Sequence, residues 1–374
     1  MDTATLSPAN LWTPTPHNQS NRALNPNQVL RFNNKHHHLH RKFPLLCFSV
    51  NPSQNQTSPA PSTPTIPPLV VVGSANADIY VEIQRLPKEG ETITAKTGQT
   101  LAGGKGANQA VCGGKLSYPT YFVGQVGEDA HGKLISEALH NGGVRLNHLT
   151  TVGCAPSGHA VVMLQPDGQN SIIVVGGANM SGWPETLTEE NLETVRNAGI
   201  VLLQREIPDS VNIQVAKAAK GAGVPVLMDV GGVAAPIPQE LMSSIDILSP
   251  NESELSRLTG LSTNSFDDVS QAALKCHKMG VKQVLVKLGA KGSAFFVEGE
   301  EPIIQPAFSV ETVLDTTGAG DTFTAAFAVA LVEGKTRKEC LRFATAAASL
   351  CIQVKGAIPS MPDRKSVLDL LQSL

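Results

Sequence analysis

One nine-residue stretch, Asp315-Thr316-Thr317-Gly318-Ala319-Gly320-Asp321-Thr322-Phe323, constrains the fold of this chain more than any other. It runs into Thr324-Ala325-Ala326-Phe327-Ala328-Val329-Ala330, so a polar turn with two glycines feeds an apolar helix of small residues. Glycines in such a turn let the backbone bend tightly and present bare N–H groups. The first helical turn adds unpaired N–H groups and the positive end of the helix dipole. Gly318, Ala319 and Gly320 are therefore expected to form a pocket for a phosphate or a developing oxyanion. Asp321 sets a carboxylate beside that pocket. It would repel a bound phosphate unless it has a task, such as taking a proton from an attacking hydroxyl. For an isolated Asp-Thr pair the ordinary explanation is helix capping; the full run, with two carboxylates and two glycines, favours function.

The rest of the chain supplies a scaffold for such a turn. Residues 69–72 read as a short buried strand ending at Gly73, and residues 121–124, 201–203, 224–229, 245–248, 284–286 and 293–297 read as further strands. Between and after them, helices are expected at 107–115, 130–140, 210–219, 252–258, 267–279, 322–332, 337–353 and 364–371. Strand–helix alternation over this length calls for a mostly parallel sheet with helices on both faces. Residues 79–83, 91–95, 159–164 and 171–175 differ, because they alternate polar and apolar side chains. They suit a small exposed sheet within about 79–101 and 158–176. In parallel sheets ligands gather at the carboxyl ends of strands. The polar and glycine motifs of this chain fall at those turns.

Residues 1–67 are different material. They are rich in Ser, Thr, Pro, Asn and Gln, carry one acidic residue, Asp2, and include a histidine cluster at His36, His37, His38 and His40. Such a segment cannot bury a core. Acid-poor, hydroxyl-rich and basic, it reads as a disordered organelle transit peptide of chloroplast type, preceding one domain over 68–374. The six cysteines are scattered without a C-x-x-C pair, which points to a reducing compartment. With 41% apolar residues and a net charge of −3, the chain suits a soluble enzyme. It has neither a basic face for nucleic acid nor an apolar run of membrane-spanning length.

Asn76 and Asp78 follow the first strand at alternate positions, so both side chains can point into one cleft and hydrogen-bond sugar hydroxyls. An Asx turn is the plain alternative. Gly103-Gly104-Lys105-Gly106-Ala107-Asn108-Gln109 offers close backbone approach, an ammonium and an amide at a helix start. It does not match the P-loop pattern G-x-x-x-x-G-K-S/T, and Gly73 begins no G-x-G-x-x-G, which weakens a dehydrogenase reading. In Asn251-Glu252-Ser253-Glu254, an amide and a carboxylate three apart could hold hydrated magnesium, which needs few protein carboxylates. They could equally form a capping box. In Lys287-Leu288-Gly289-Ala290-Lys291-Gly292 the glycines allow close approach to a nucleotide, and Lys291 is either a phosphate partner or a solvated charge.

Taken together, these motifs resemble those of the ribokinase (PfkB-type) sugar kinases, in the family's order, from Leu69 to the end. The resemblance implies a three-layer α/β/α ribokinase-like fold with a small β-sheet lid, and phosphorylation of D-ribose at O5 by ATP. It makes Asp321 the catalytic base, and Asn76, Ala77, Asp78, Gly104, Lys105, Gly106, Ala107, Asn108, Glu206 and Asp321 itself the sugar site. Asn251, residues 287–292, Gly320 and Asp321 would meet the nucleotide, and Glu254 would hold Mg²⁺ through water. Asp315, Thr317, Cys351, Val354, Gly356 and Ser360 match positions that bind a monovalent cation such as K⁺, mostly through carbonyls. The resemblance also suggests a homodimer built from paired lids. A kinase of another sugar or a nucleoside, such as fructose or adenosine, and an idle kinase-like scaffold are the alternatives.

Overall fold

Strand β1 (Leu69–Val72) reads Leu-Val-Val-Val with all four side chains buried, which requires a strand covered on both faces. The computed structural model describes residues 66–166 and 170–373, so the expected leader falls, up to residue 65, outside the described residues. In chain order the next strands are β2 (Asn76–Glu82), β3 (Thr97–Gly103), β4 (Thr120–Gly127), β5 (Arg145–Val152), β6 (Gly158–Leu164) and β7 (Asn170–Val175). They are followed by β8 (Ile200–Arg205), β9 (Val226–Gly232), β10 (Ile247–Ser249), β11 (Gln283–Lys287), β12 (Ser293–Val297) and β13 (Ile303–Gln305).

Nine strands form one sheet in the order β13-β12-β11-β10-β9-β8-β1-β4-β5. Every pair from β5 to β11 is parallel, and only the β11–β12 and β12–β13 pairs at one edge are antiparallel. The two faces of β1 feed separate cores. Leu69 and Val71 join the cluster formed with helices Lys105–Lys115, Ala319–Val332 and Arg337–Cys351. Val70 and Val72 join the cluster of helices Asp209–Gly221 and Phe266–Lys278. The result is the expected α/β/α sandwich. Helix Ala319–Val332 has no polar face, and residues 321–330 are all buried.

A second sheet, ordered β3-β2-β6-β7, stands apart from the first. Asn76, Asp78 and Tyr80 share one face with Ala160 and Val162, because Asp78 pairs with Ala160 and Tyr80 with Val162. The strand expected over residues 91–95 is a correction. Those residues form no strand; Glu91 instead takes a surface ion pair with Arg85, and Thr97–Gly103 pairs with β2. Gly103 leaves room for the Asp78 side chain, because a Cβ there would lie 2.0 Å from its Oδ2. Strands β5 and β13 and helix Glu189–Arg196 were not expected from sequence. Among the described residues the five cysteines are free, and no helix is long and apolar enough to cross a membrane.

Candidate active site

The site begins where helix Ala319–Val332 starts. Gly318 precedes it with φ 79°, in the left-handed region. Among the described residues, the N–H groups of Gly318, Gly320 and Asp321 find no acceptor. Ala319 departs from expectation: it gives its N–H to the Thr316 carbonyl at 3.2 Å, so the free donors are its neighbours. The Asp321 side chain is buried but reaches the wall of a cavity of about 820 Å³. Its Oδ2 accepts from Asn108 Nδ2 at 2.9 Å and its Oδ1 from Gln109 Nε2 at 3.1 Å. Gln109 is itself held by Gln204, whose Nε2 donates to Gln109 Oε1 at 2.7 Å. Sequence reasoning did not assign either glutamine.

Lys105, Asp229 and Lys287 continue the charge pattern from Asp321. Lys105 Nζ stands 3.7 Å from Asp321 Oδ1 and 3.5 Å from Asp229 Oδ1. Lys287 Nζ stands 2.5 Å from Asp229 Oδ2. Burial alone would lower the Lys105 ammonium, but Asp229, Asp321, Glu206 and Glu254 hold it well above the usual lysine range. The Lys105 ammonium, expected on the sugar, lies between Asp321 and Asp229, on the cavity that also carries Asn251 and Gly289. Asp229 carries no motif. Its one sequence signal is its place at the carboxyl end of a buried strand.

The residues expected to hold the sugar meet where helix Lys105–Lys115 abuts the end of β1. Gly104 has φ 89°, and a Cβ on it would lie 2.7 Å from the Asn76 backbone N. At Gly106 a Cβ would meet the Ser74 backbone N and O at 2.7 Å, so main chain packs on main chain here. Through that contact Glu206 is clamped: its Oε2 accepts from Ser74 Oγ at 2.5 Å and from the Lys105 N–H at 3.2 Å. Asn76 Oδ1 accepts from Asn179 Nδ2 at 2.7 Å, and Asn179 also brackets both main-chain groups of Ala75. Asn179 was missed, being one buried amide in the short helix Gly177–Asn179. Ala77 projects to the opposite face from Asn76 and Asp78, as strand alternation requires, and Ala107 is packed in the core. Burial, then the charges of Glu206 and Asp321, push the Asp78 carboxyl up to about 7. Burial raises Glu206 as well, against the pull of Lys105.

At Asn251 and Glu254 the capping alternative is realised. Glu254 N–H donates to Asn251 Oδ1 at 2.8 Å, and the Asn251 N–H donates to Glu254 Oε2 at 2.8 Å. That commits the amide oxygen of Asn251 and leaves its Nδ2, a donor suited to a phosphate oxygen rather than a cation. Glu254 keeps Oε1 without a partner among the described residues. Gly289, Ala290 and Gly292 line the cavity, whereas Leu288 is buried in the core. Lys291, 65% exposed, does not line the cavity; it pairs at 2.9 Å with Glu252 on the cavity rim, which is the solvated alternative.

The expected cation residues converge on two adjoining loops. Asp315 accepts from the N–H of Thr317 and of Gly356, each at 2.8 Å. Cys351 Sγ lies 3.0 Å from Ser360 Oγ and approaches the Thr317 carbonyl at 3.9 Å. Val354 is 45% exposed on the turn between them.

The sequence profile of the pfkB family carbohydrate kinases matches residues 67–364. The chain is 71% identical to the ribokinase of Arabidopsis thaliana over 334 residues, covering 89% of this chain and 88% of that one. It is 40% identical to the ribokinase of Bacillus subtilis over 304 residues, or 81% and 99% of the two chains. The solved structure of Arabidopsis thaliana ribokinase complexed with ribose and ATP superposes with a TM-score of 0.79 at 75% identity, covering 82% of this chain and 99% of that one. This chain belongs to the pfkB family of carbohydrate kinases.

Proposed function

We propose that this protein transfers the γ-phosphoryl group of ATP to O5 of D-ribose. The observation that carries the reading is the convergence at Asp321: a carboxylate, free backbone N–H groups and two ammonium groups at one cavity. The similarity to ribokinases, one of them solved with ribose and ATP, supports ribose as the acceptor. Asn76, Asp78, Asn108 and Glu206 would hold the sugar so that its 5-hydroxyl meets Asp321. Asp321 would accept the hydroxyl proton while the N–H groups of Gly318, Gly320 and Asp321 stabilise charge on the transferred group. Phosphoryl transfer depends on such positioning and electrostatics more than on covalent chemistry.

The unpartnered Oε1 of Glu254 fits Mg²⁺ held through water, since that ion keeps several waters and takes few carboxylates. When bound, Mg²⁺ neutralises phosphate charge. Asp315, with carbonyls of the 351–360 loop, offers the oxygen donors that K⁺ takes. Assay of the full chain with ATP and a panel of ribose, fructose and adenosine, with and without K⁺, tests the reading. Ribose should be the preferred acceptor; preference for fructose or adenosine would reassign the substrate.

The second sheet would act as a lid that keeps water from the phosphoryl group. Its edge strand β7 exposes Ile172, Ile173 and Val174 by 54–58%, on both faces. Edge-to-edge pairing with a second copy would cover them. Sedimentation equilibrium should give a dimer, and a monomer at micromolar concentration would remove this part. We also propose plastid import directed by residues 1–67. A fluorescent fusion to that segment should enter plastids, and a purely cytosolic signal would refute it.

A further inference from the structure

One buried carboxylate is left over by the proposed reaction. Asp229 is fully buried and absent from the cavity wall, yet both ammonium groups it touches belong to that wall. Its Oδ1 accepts from the Gly231 N–H at 2.9 Å and its Oδ2 from Thr324 Oγ1 at 3.3 Å, so the carboxylate is fixed from behind. Burial would raise its carboxyl, but Lys105 and Lys287 bring it well below the usual carboxylate range, and it stays charged.

The positions of the two lysines differ. Lys105 is shared between Asp229 and the base. Lys287 has Asp229 as its one carboxylate partner among the described residues, and its Nζ lies 3.8 Å from where a Cβ on Gly320 would stand. It is therefore beside the free N–H groups at the helix start. A buried ion pair used only for stability is a poor bargain, because desolvation offsets much of its attraction. An ammonium kept on a cavity wall next to an anion pocket has a partner to wait for.

We infer that Asp229 is a positioning residue that sets the Lys287 ammonium on the terminal phosphoryl group of the bound triphosphate. Of the three donors on the Lys287 ammonium one goes to Asp229, so an arriving phosphoryl oxygen can accept from another without displacing Asp229. The inference rests on the nucleotide occupying the cavity as proposed above.

The test compares binding of ADP and of a β,γ-imido analogue of ATP by calorimetry on the full chain, alongside ribose kinetics. Lys287→Met should weaken the analogue about tenfold while leaving ADP within about twofold. It should lower kcat roughly 10²-fold, the loss typical of one charge-stabilising donor, with the ribose KM little changed. Lys287→Arg should restore most of the preference for the analogue over ADP, and Asp229→Asn should lose part of it. Equal weakening of ADP and the analogue by Lys287→Met, or an undiminished kcat, overturns the inference. Failure of the wild-type chain to phosphorylate ribose would instead overturn the substrate reading, and the ADP-to-analogue ratio would still report on Lys287.

Discussion

Asp321→Asn is expected to lower kcat by roughly 10²- to 10⁴-fold, the range that a positioned general base contributes. Ribose affinity should change little, for a reason visible in the hydrogen bonds. The two carboxylate oxygens accept from Asn108 and Gln109. An amide at position 321 turns one of those contacts into donor facing donor. Asn108 Oδ1 has no partner, so the Asn108 amide can turn over and accept from the new NH₂. Gln109 is pinned by Gln204 and keeps its donor where it is. The variant should therefore keep its fold and the sugar contacts of Asn76, Asp78 and Glu206 but lack a proton acceptor. Turnover at the wild-type rate would remove Asp321 from the role of base.

The ligand-free protein should lose stability as pH rises from about 4 to about 7, and Asp78→Asn should abolish most of that loss. Asp78 has its carboxyl raised from 3.8 to about 7, by burial first and by Glu206 and Asp321 next. A carboxyl raised by folding holds its proton longer in the folded state than in the unfolded one. Its contribution is complete below the unfolded value and is lost as pH passes through the folded one. A shift of that size corresponds to at most about 4 kcal/mol. Thermal melting should show Asp78→Asn well above wild type at pH 8 and close to it at pH 5, with sugar binding impaired at both. Equal melting differences at the two values would contradict the assignment. The charge tension at Asp78 also has a functional sense, since a sugar hydroxyl donating to the carboxylate would relieve it.

The central sheet was legible because its strands are buried on both faces and read as continuous apolar runs, as Leu69–Val72 does. The edges were not. β5 is half polar, with Arg145, Asn147 and His148 among its residues, and β13 has three residues. Neither period nor length marks such strands. Residues 91–95 alternate but form no strand; the strand that pairs with β2 is Thr97–Gly103, whose first residues carry no such alternation. In the site, the motif residues could be named because glycines and polar groups cluster in short runs. Asp229, Asn179, Gln109 and Gln204 could not, since each is a single polar residue whose role depends on a partner 95 or more positions away in most of their contacts. The capping box at Asn251 and Glu254 shows the remaining difficulty. A local structural role and a ligand role share the same residues, and geometry alone tells which atoms each role uses.

The most direct measurement is the position of phosphate on the product. Full-length protein incubated with ATP, Mg²⁺ and D-ribose should yield a pentose whose ³¹P resonance couples to the two protons on C5, with ADP formed in equal amount. Phosphate on another carbon, or ADP release that does not depend on ribose, would mean that the hydroxyl meeting Asp321 is not the one assigned to it.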